Sequence, residues 1–359
     1  MSHTRNASLD VLRCAAILLV LGSHFEYYRF WNRIGWIGVD LFFVLSGFLI
    51  SGLLFEDYKE LGRIRIGRFL LRRGFKIYPS YYLFVSVLVL LTFVTRSNRS
   101  FANFWTLRKP LLATLTFTQN YLGWTGRVAG HTWTLAVEEH FYLALPLLLW
   151  ALLWVRRGSR DPFKPILGIF LFLAVACLVL RISTPHVLHE NFVTQTHLRI
   201  DSLFSGVTLG YLYHFRPAWF ARLTGPWSVG LAILFSLPAA CFENGSRLMQ
   251  TVGLTSLFVG FSFLLAWAID RKPKSRWCSA VVRAFALVGF YSYSIYLWHR
   301  PLAMMLEPTH SALGYWCYVA IAIAFGVAMA MIVEIPGLAL RDRLFPPATS
   351  PVSTPKLQP

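Results

Sequence analysis

Apolar residues occur in long blocks along most of the chain, and the short connections between the blocks carry most of the charge. A helix of about 20 apolar residues is needed to cross the roughly 30 Å hydrocarbon core of a bilayer. The first block contains Arg13 and His24 and lacks a small-residue cleavage site, so we interpret it as a retained span and not as a signal peptide. The pattern predicts an all-α integral membrane protein, a bundle of about ten transmembrane helices at 9–28, 34–55, 79–95, 132–155, 165–183, 198–214, 226–243, 248–270, 284–306 and 312–335.

The segment 101–124 is apolar but is interrupted by charged residues and Pro110, and we interpret it as an interfacial or re-entrant piece. As an eleventh span it would invert the topology of everything after it. With that segment outside the bundle and the N-terminus inside, the inner segments hold twenty-two Lys and Arg residues and the outer connections hold eight. By the positive-inside rule, both termini are predicted to be cytoplasmic. We expect a membrane domain over 1–345 and a disordered C-terminal tail over 346–359.

The composition agrees with a membrane location. Hydrophobic residues make up 56% of the chain and charged residues only 14%, which excludes an ordinary water-soluble enzyme. The formal net charge of +18 would also suit nucleic acid, but because the basic residues lie between the apolar blocks we expect the lipid bilayer as partner and no nucleic acid. The five cysteines form no CxxC pair, so neither a disulfide framework nor a metal site is predicted.

Ionisable residues within the predicted spans mark a candidate reaction chamber. Such groups are costly in lipid and usually face a bundle interior or a water-filled cavity. At 1.5 Å per residue, those in the outer third lie roughly 5 to 10 Å from the outer helix ends; they are His24, Asp40, Glu138, Glu139, Asp201 and His299. Each alone is equally compatible with a structural pair or an interfacial side chain. Neighbouring residues on a helix point about 100° apart, and of the two glutamates we favour Glu138.

Two patterns of basic residues add to this chamber. Arg13 and His24 are eleven residues apart, which places both on one helix face with roughly 16 Å between their Cα atoms. The inner connection 56–78 carries a cationic stripe at i, i+3, i+7 and i+11 with one arginine beside it, namely Arg65, Arg68, Arg72, Lys76 and Arg73. The stripe is interpreted either as an anchor to anionic lipid headgroups or as a dock for a phosphorylated cytosolic ligand, because arginine matches phosphate oxygens.

Seven strings, taken together and in order, resemble acyltransferase family 3, the integral-membrane O-acyltransferases of glycans and other hydroxyl-bearing acceptors. They are SLDVLRCAAILLVLGSHF, IGVDLFFVLSGFLISGLL, RFLLRRGFKIYPSYY, HTWTLAVEEHFYLALP, LRIDSLFSGVTLGYL, YSYSIYLWHRPL and the VEIP that carries Glu334. The resemblance implies that Arg13 and His24 are the functional pair and that acyl-CoA, most commonly acetyl-CoA, is the cytosolic donor. It also implies a glycan or lipid-linked sugar as acceptor at the outer side of a bacterial cytoplasmic membrane.

The chain departs from the family pattern at two positions. Lys76 stands where an arginine is common, and His140 stands where glutamine is usual, which leaves open which histidine is the base. The chain has no room for the soluble SGNH-type esterase domain of some relatives, so we expect the final transfer to occur in the membrane or through a separate protein.

These observations give one mechanistic hypothesis. Transfer from a thioester to an alcohol requires removal of the hydroxyl proton, for which a neutral imidazole is suited. We expect His24 to be the base and Asp40 or Glu138 to fix its tautomer, while acyl-CoA is bound by the basic set Arg13, Arg65, Arg68, Arg72, Arg73 and Lys76. Two alternatives remain open: a transporter or flippase of a lipid-linked sugar or small polyol, and a non-catalytic receptor or scaffold.

Overall fold

The computed structural model describes residues 6–25, 27–95, 102–122, 129–184, 193–269, 271, 276–306 and 311–346, and the regular structure of these residues is helical. The helices are α1 (Ala7–Ser23), α2 (Arg29–Ile34), α3 (Gly38–Leu61), α4 (Ile66–Thr95), α5 (Ala102–Leu115), α6 (Gln119–Leu122), α7 (Trp133–Val155), α8 (Ile166–Ser183), α9 (Ile200–Phe215), α10 (Pro217–Arg222), α11 (Trp227–Cys241), α12 (Leu254–Ala268), α13 (Arg276–Phe290), α14 (Ser292–Leu306), α15 (Ala312–Met329) and α16 (Ile335–Leu344). Single π-helical segments, Met249–Gly253 and Ala330–Glu334, precede α12 and α16.

Helices occupy each of the ten predicted spans, and most are long enough to cross a bilayer. Six stretches pass on length and apolar composition: Arg29–Leu61, Ile66–Leu91, Gly130–Val155, Ile166–Ser183, Met249–Ala268 and Ala312–Leu344. A seventh is formed by Ser279–Phe290 and Ser292–Leu306 together, which are bent by 67°. The chain is therefore a multi-pass membrane protein. The other three predicted spans correspond to α1, α9 and α11, of 17, 16 and 15 residues, so the count of ten and the cytoplasmic termini stay predictions.

The first helix is shorter than predicted. It ends at Ser23, and His24 caps its C-terminus. The chain then reverses, and Gly35 packs against the end of α1 so closely that an added Cβ would lie 2.2 Å from the carbonyl oxygen of Leu19. The apolar block 9–28 is thus a helix followed by a turn, and hydropathy alone does not distinguish the two.

Apart from Arg65, which precedes α4, the cationic stripe lies on a membrane helix and not in a separate inner connection. Helix α3 continues to Leu61 and ends where Gly62 adopts φ +66°, a left-handed conformation that terminates helices. Helix α4 begins at Ile66 and runs for 30 residues through Pro79. The stripe therefore continues directly into the predicted third span, and its C-terminal residues lie within the bundle.

The segment 101–124 is described over 102–122. Helix α5 has only 14 residues and contains Pro110. A turn at Phe117, with φ 57°, separates it from the single turn of α6. Because about 20 helical residues are needed to cross the core, the described part of this segment is too short for an eleventh span.

Glycines allow the helices around the site to pack at very short range. A Cβ added to Gly47 of α3 would lie 1.8 Å from the carbonyl oxygen of Leu203, and one added to Gly206 of α9 would lie 2.1 Å from that of Val44. Small residues permit this close backbone approach in membrane bundles. Gly289 of α13 packs in the same way against α1, where an added Cβ would lie 1.8 Å from the carbonyl oxygen of Asp10. These contacts fix α1 and α3, which carry the predicted site residues.

Candidate functional site

A cavity of about 610 Å³ lies between α1, α3, α4, α7 and α14. Its volume is that of a small-molecule site, for which roughly 300 to 1,000 Å³ is usual. The walls are mainly apolar, and the polar side chains that matter below are Arg13, Arg73, Lys76, Glu138, Tyr142 and Tyr296. The cavity brings together cations from α1 and α4 that the sequence places sixty residues apart.

Three cations line this cavity, and each has a different environment. Arg13 forms an ion pair with Asp10 at 3.3 Å and is partly exposed. The Arg73 guanidinium lies 5.8 Å from the ring centroid of Tyr142. Lys76 donates to the buried carboxylate of Glu334, in the π-helical segment before α16. Asp10, Glu56 and Glu138 line the same cavity, so the cations are the part of the wall that can bind an anionic group.

The rest of the stripe is bound by the chain itself and does not line the cavity. Arg65 forms a 2.6 Å ion pair with Asp57, and this hydrogen bond raises the pKa of the Arg65 guanidinium. Arg68 donates to the carbonyl oxygen of Pro346. Arg72 donates to the carbonyl oxygen of Phe345, and its Nη1 lies 3.1 Å from Oδ1 of Asp342. The single dock predicted for the stripe is thus divided, and only its last two members reach the cavity with Arg13.

The neighbouring glutamates of α7 face different partners. Glu138 lines the cavity and lies near Tyr142 and Ser46, whose hydroxyls are 2.7 Å apart. Glu139 accepts from the hydroxyl of Tyr78. His140 has its Nδ1 2.7 Å from the Thr196 hydroxyl. Of these three consecutive ionisable residues, Glu138 is the one among the cavity-lining residues.

Asp40 has a partner that the sequence interpretation did not consider. Its Oδ1 accepts from Arg199 at 2.7 Å in a buried ion pair, and the Arg199 guanidinium lies 5.5 Å from the ring centroids of Phe43 and Trp133. The close packing of α3 on α9 brings the two charges together. Asp40 is thus paired with Arg199, and the role of Asp40 or Glu138 in orienting His24 stays a prediction. The sequence does offer Arg199 as a partner, because it lies within a predicted span and a charge there needs a counter-charge.

His24 belongs to a cluster of three histidines. Nη1 of Arg300 lies 3.0 Å from Nδ1 of His24, and the His24 ring centroid lies 5.0 Å from that of His299. The His299 ring is also 5.0 Å from His131, whose Nε2 is 3.1 Å from the carbonyl oxygen of Leu297. The sequence predicted that His299 lies in the outer third of the membrane, as His24 does. It did not single out Arg300 or His131, although both stand inside family-like strings.

Tyr296 lies between the cavity and the histidine cluster. It lines the cavity, and its hydroxyl donates to the carbonyl oxygen of His131 at 2.8 Å. Its ring centroid is 5.5 Å from that of His299 and 5.4 Å from that of His131. His24 is not among the cavity-lining residues, so in this conformation the cavity does not join the cations to His24 as predicted.

Comparison with known proteins identifies the family. Residues 6–335 match the family model of an acyltransferase domain. The chain belongs to acyltransferase family 3. It is 27% identical over 324 residues to the peptidoglycan O-acetyltransferase OatA of Listeria monocytogenes, which covers 84% of this chain and 50% of that protein. It is 25% identical over 317 residues to the O-acetyltransferase OatA of Staphylococcus aureus, with 83% and 51% covered.

The chain thus spans about half the length of these curated relatives. No solved structure matches it. The family match confirms the resemblance inferred from the seven strings, which this family 3 acyltransferase carries in order along the matched region.

The cavity wall has a cationic part and an apolar part. Cations of this kind match phosphate groups. Among the residues that the structure describes, no group of three or more His, Cys, Asp or Glu side chains is placed to hold a metal ion.

Proposed function

We propose that this protein transfers an acyl group, acetyl in the simplest case, from cytosolic acyl-CoA to a hydroxyl of a glycan or lipid-linked sugar at the outer side of a bacterial cytoplasmic membrane. The observation that carries the proposal is the cavity itself. It is lined by Arg13, Arg73 and Lys76 and also by Tyr296, which contacts the histidine cluster on its other side. The names of the relatives support acetyl as the group and a glycan as the acceptor.

The donor would bind with its phosphates among the cations. Arg13 and Arg73 supply planar guanidinium groups, which hydrogen-bond phosphate oxygens in pairs. The charge of Lys76 is already neutralised by Glu334, so Lys76 would mainly help to position the phosphates. The pantetheine arm would then follow the apolar wall toward Tyr296, which would place the thioester near the histidines.

The reaction needs one proton to be moved. The acceptor hydroxyl oxygen forms a bond to the thioester carbonyl carbon, the C–S bond breaks, and the CoA thiolate leaves. His24 would take the hydroxyl proton, which finally protonates the thiolate. Since His24 does not line the cavity in this conformation, side chains near the histidines, such as the Tyr296 ring, would have to move before transfer.

Purified protein in liposomes tests the proposal directly. With labelled acetyl-CoA on one side and a glycan acceptor on the other, we expect labelled acceptor from the wild-type protein and none from His24→Ala. His140→Gln is the matched control, since His140 contacts Thr196 outside the cavity, and it should retain transfer. Transport of a lipid-linked sugar without consumption of acyl-CoA would contradict the proposal. Mass spectrometry of envelope glycans with and without the protein would identify the acceptor and the added mass.

A further inference from the structure

The hydrogen bond from Arg300 determines which nitrogen of His24 carries the proton. An arginine guanidinium only donates hydrogen bonds, so Nδ1 of His24, 3.0 Å from Nη1 of Arg300, is the acceptor. A neutral imidazole holds one proton, and its tautomer follows from the bond that the other nitrogen makes. The neutral His24 ring therefore carries its proton on Nε2. In that state neither nitrogen has a vacant lone pair for a substrate hydroxyl.

His299 has the opposite tautomer. Its Nδ1 lies 2.5 Å from the carbonyl oxygen of Tyr296, and because a carbonyl only accepts, Nδ1 carries the proton. Nε2 of His299 is then a lone-pair acceptor. It is buried and has no hydrogen-bond partner among the described residues. Leaving a buried acceptor without a donor costs free energy. We therefore expect Nε2 of His299 to accept a proton during the reaction.

The two rings are placed for exchange of a proton. Their centroids are 5.0 Å apart with 31° between the ring planes, and rotation about χ2 is soft for histidine. His24 offers an Nε2–H, and His299 offers an Nε2 lone pair. Of the carboxylates that the sequence suggested for this position, Asp40 is bound by Arg199, and Glu138 lies near Tyr142 and Ser46.

We propose that His299 is the proton acceptor behind His24, so that a histidine takes the place of the usual orienting carboxylate. The inference rests on the proposed acyl transfer. The acceptor hydroxyl displaces Arg300 from Nδ1 of His24 and gives its proton to that nitrogen, while the Nε2 proton of His24 passes to Nε2 of His299. The hydroxyl oxygen bonds to the acyl carbon and the C–S bond breaks. His299 is then an imidazolium, His24 is neutral with its tautomer exchanged, and the proton returns along the same path to the CoA thiolate.

Burial distinguishes the roles of the two histidines. His299 is fully buried, whereas His24 is only partly buried at the end of α1. A substrate hydroxyl therefore reaches the partly exposed His24 more readily than the fully buried His299. His299 is therefore a positioning residue that acts through His24. Arg300 holds the resting tautomer and is released when the hydroxyl arrives.

Two substitutions separate proton transfer from simple packing. His299→Phe keeps a ring of similar size without an acceptor, and His299→Gln keeps a hydrogen-bonding amide that does not take up a proton. We expect both to lower kcat by about 100-fold or more, the usual size of a general-base effect. The KM for acetyl-CoA should stay within about twofold, because the donor site is untouched. His140→Gln, the same chemical change outside the relay, should keep the wild-type kcat. A His299→Gln variant with wild-type kcat would overturn the relay.

The tautomers provide a test that needs no turnover. In nitrogen-15 NMR of histidine-labelled protein in bilayers, with signals assigned from His24→Gln and His299→Gln, we expect His24 protonated on Nε2 and His299 on Nδ1. His299 protonated on Nε2 in a protein that transfers acyl groups would overturn the relay and leave the proposed function standing. Absence of any acyl transfer by the wild-type protein would instead refute the proposed function, and the relay with it.

Discussion

The hydroxyl groups of Tyr296 and Thr134 lie 2.7 Å apart at the point where the cavity meets the histidine cluster. Both also hydrogen-bond the carbonyl oxygen of His131, Tyr296 at 2.8 Å and Thr134 at 3.2 Å. These contacts tie α14 to α7. They hold the Tyr296 ring in the cavity wall, next to the rings of His131 and His299.

This arrangement predicts energetic coupling between the two hydroxyls. Tyr296→Phe and Thr134→Val should each destabilise the protein by about 0.5 to 1.5 kcal/mol, because each removes a buried hydrogen bond. Combined, they should cost at least about 0.5 kcal/mol less than the sum of the single changes, as for residues in direct contact. Unfolding of the four proteins in detergent measures this, and strictly additive losses would show that the hydroxyls do not interact.

The three-cation cluster predicts a selective effect on donor affinity. Arg13→Gln and Arg73→Gln should each raise the KM for acetyl-CoA by about 10-fold or more, since a hydrogen bond to a charged group contributes about 1.5 to 3 kcal/mol. The kcat should change far less. Steady-state kinetics in liposomes gives both constants.

A matched arginine outside the cavity serves as the control for these variants. Arg216 pairs with Asp161, and Arg216→Gln should leave the KM unchanged. An equal rise in KM for Arg216→Gln would mean that net charge, and not the cavity, determines donor affinity.

The pairing of Asp40 with Arg199 predicts a structural role for both residues. Removal of one member of a buried ion pair typically costs about 3 to 5 kcal/mol. Asp40→Asn and Arg199→Gln should therefore lower the unfolding temperature strongly, and the double variant should recover much of the loss. The kcat per folded molecule should stay close to the wild-type value. If Asp40→Asn were fully stable but inactive, Asp40 would instead act in the reaction.

The contact between α3 and α9 predicts a sharp difference between two glycines. Gly206→Ala places a methyl group 2.1 Å from the carbonyl oxygen of Val44, and such overpacking typically costs about 1 to 3 kcal/mol. Gly230, within α11, has no atom within 4 Å of an added Cβ, so Gly230→Ala should be neutral or stabilise by up to about 1 kcal/mol. Thermal unfolding of both variants in detergent tests this, and equal stability would contradict the close packing.

Local patterns in the sequence predicted much of the architecture. The ten apolar blocks match helices, because the length and hydropathy of a membrane helix can be found in one continuous stretch of sequence. The boundaries were less accurate where tertiary contacts intervene, as at the end of α1, where Gly35 packs on Leu19. The regular spacing of the basic stripe predicted one continuous cationic surface. Helical periodicity does not show which of these cations form ion pairs or hydrogen bonds in the folded chain.

The sequence by itself determined the membrane class, the helical segments and the acyltransferase family, because hydrophobic length and motif order are written in consecutive residues. Only the tertiary structure decided which charges meet. Arg199 and Asp40 are 159 positions apart, and Arg300 and His24 are 276 apart. Such pairs depend on how each helix is rotated and how closely its neighbour approaches, and both are fixed by side-chain packing across the whole bundle.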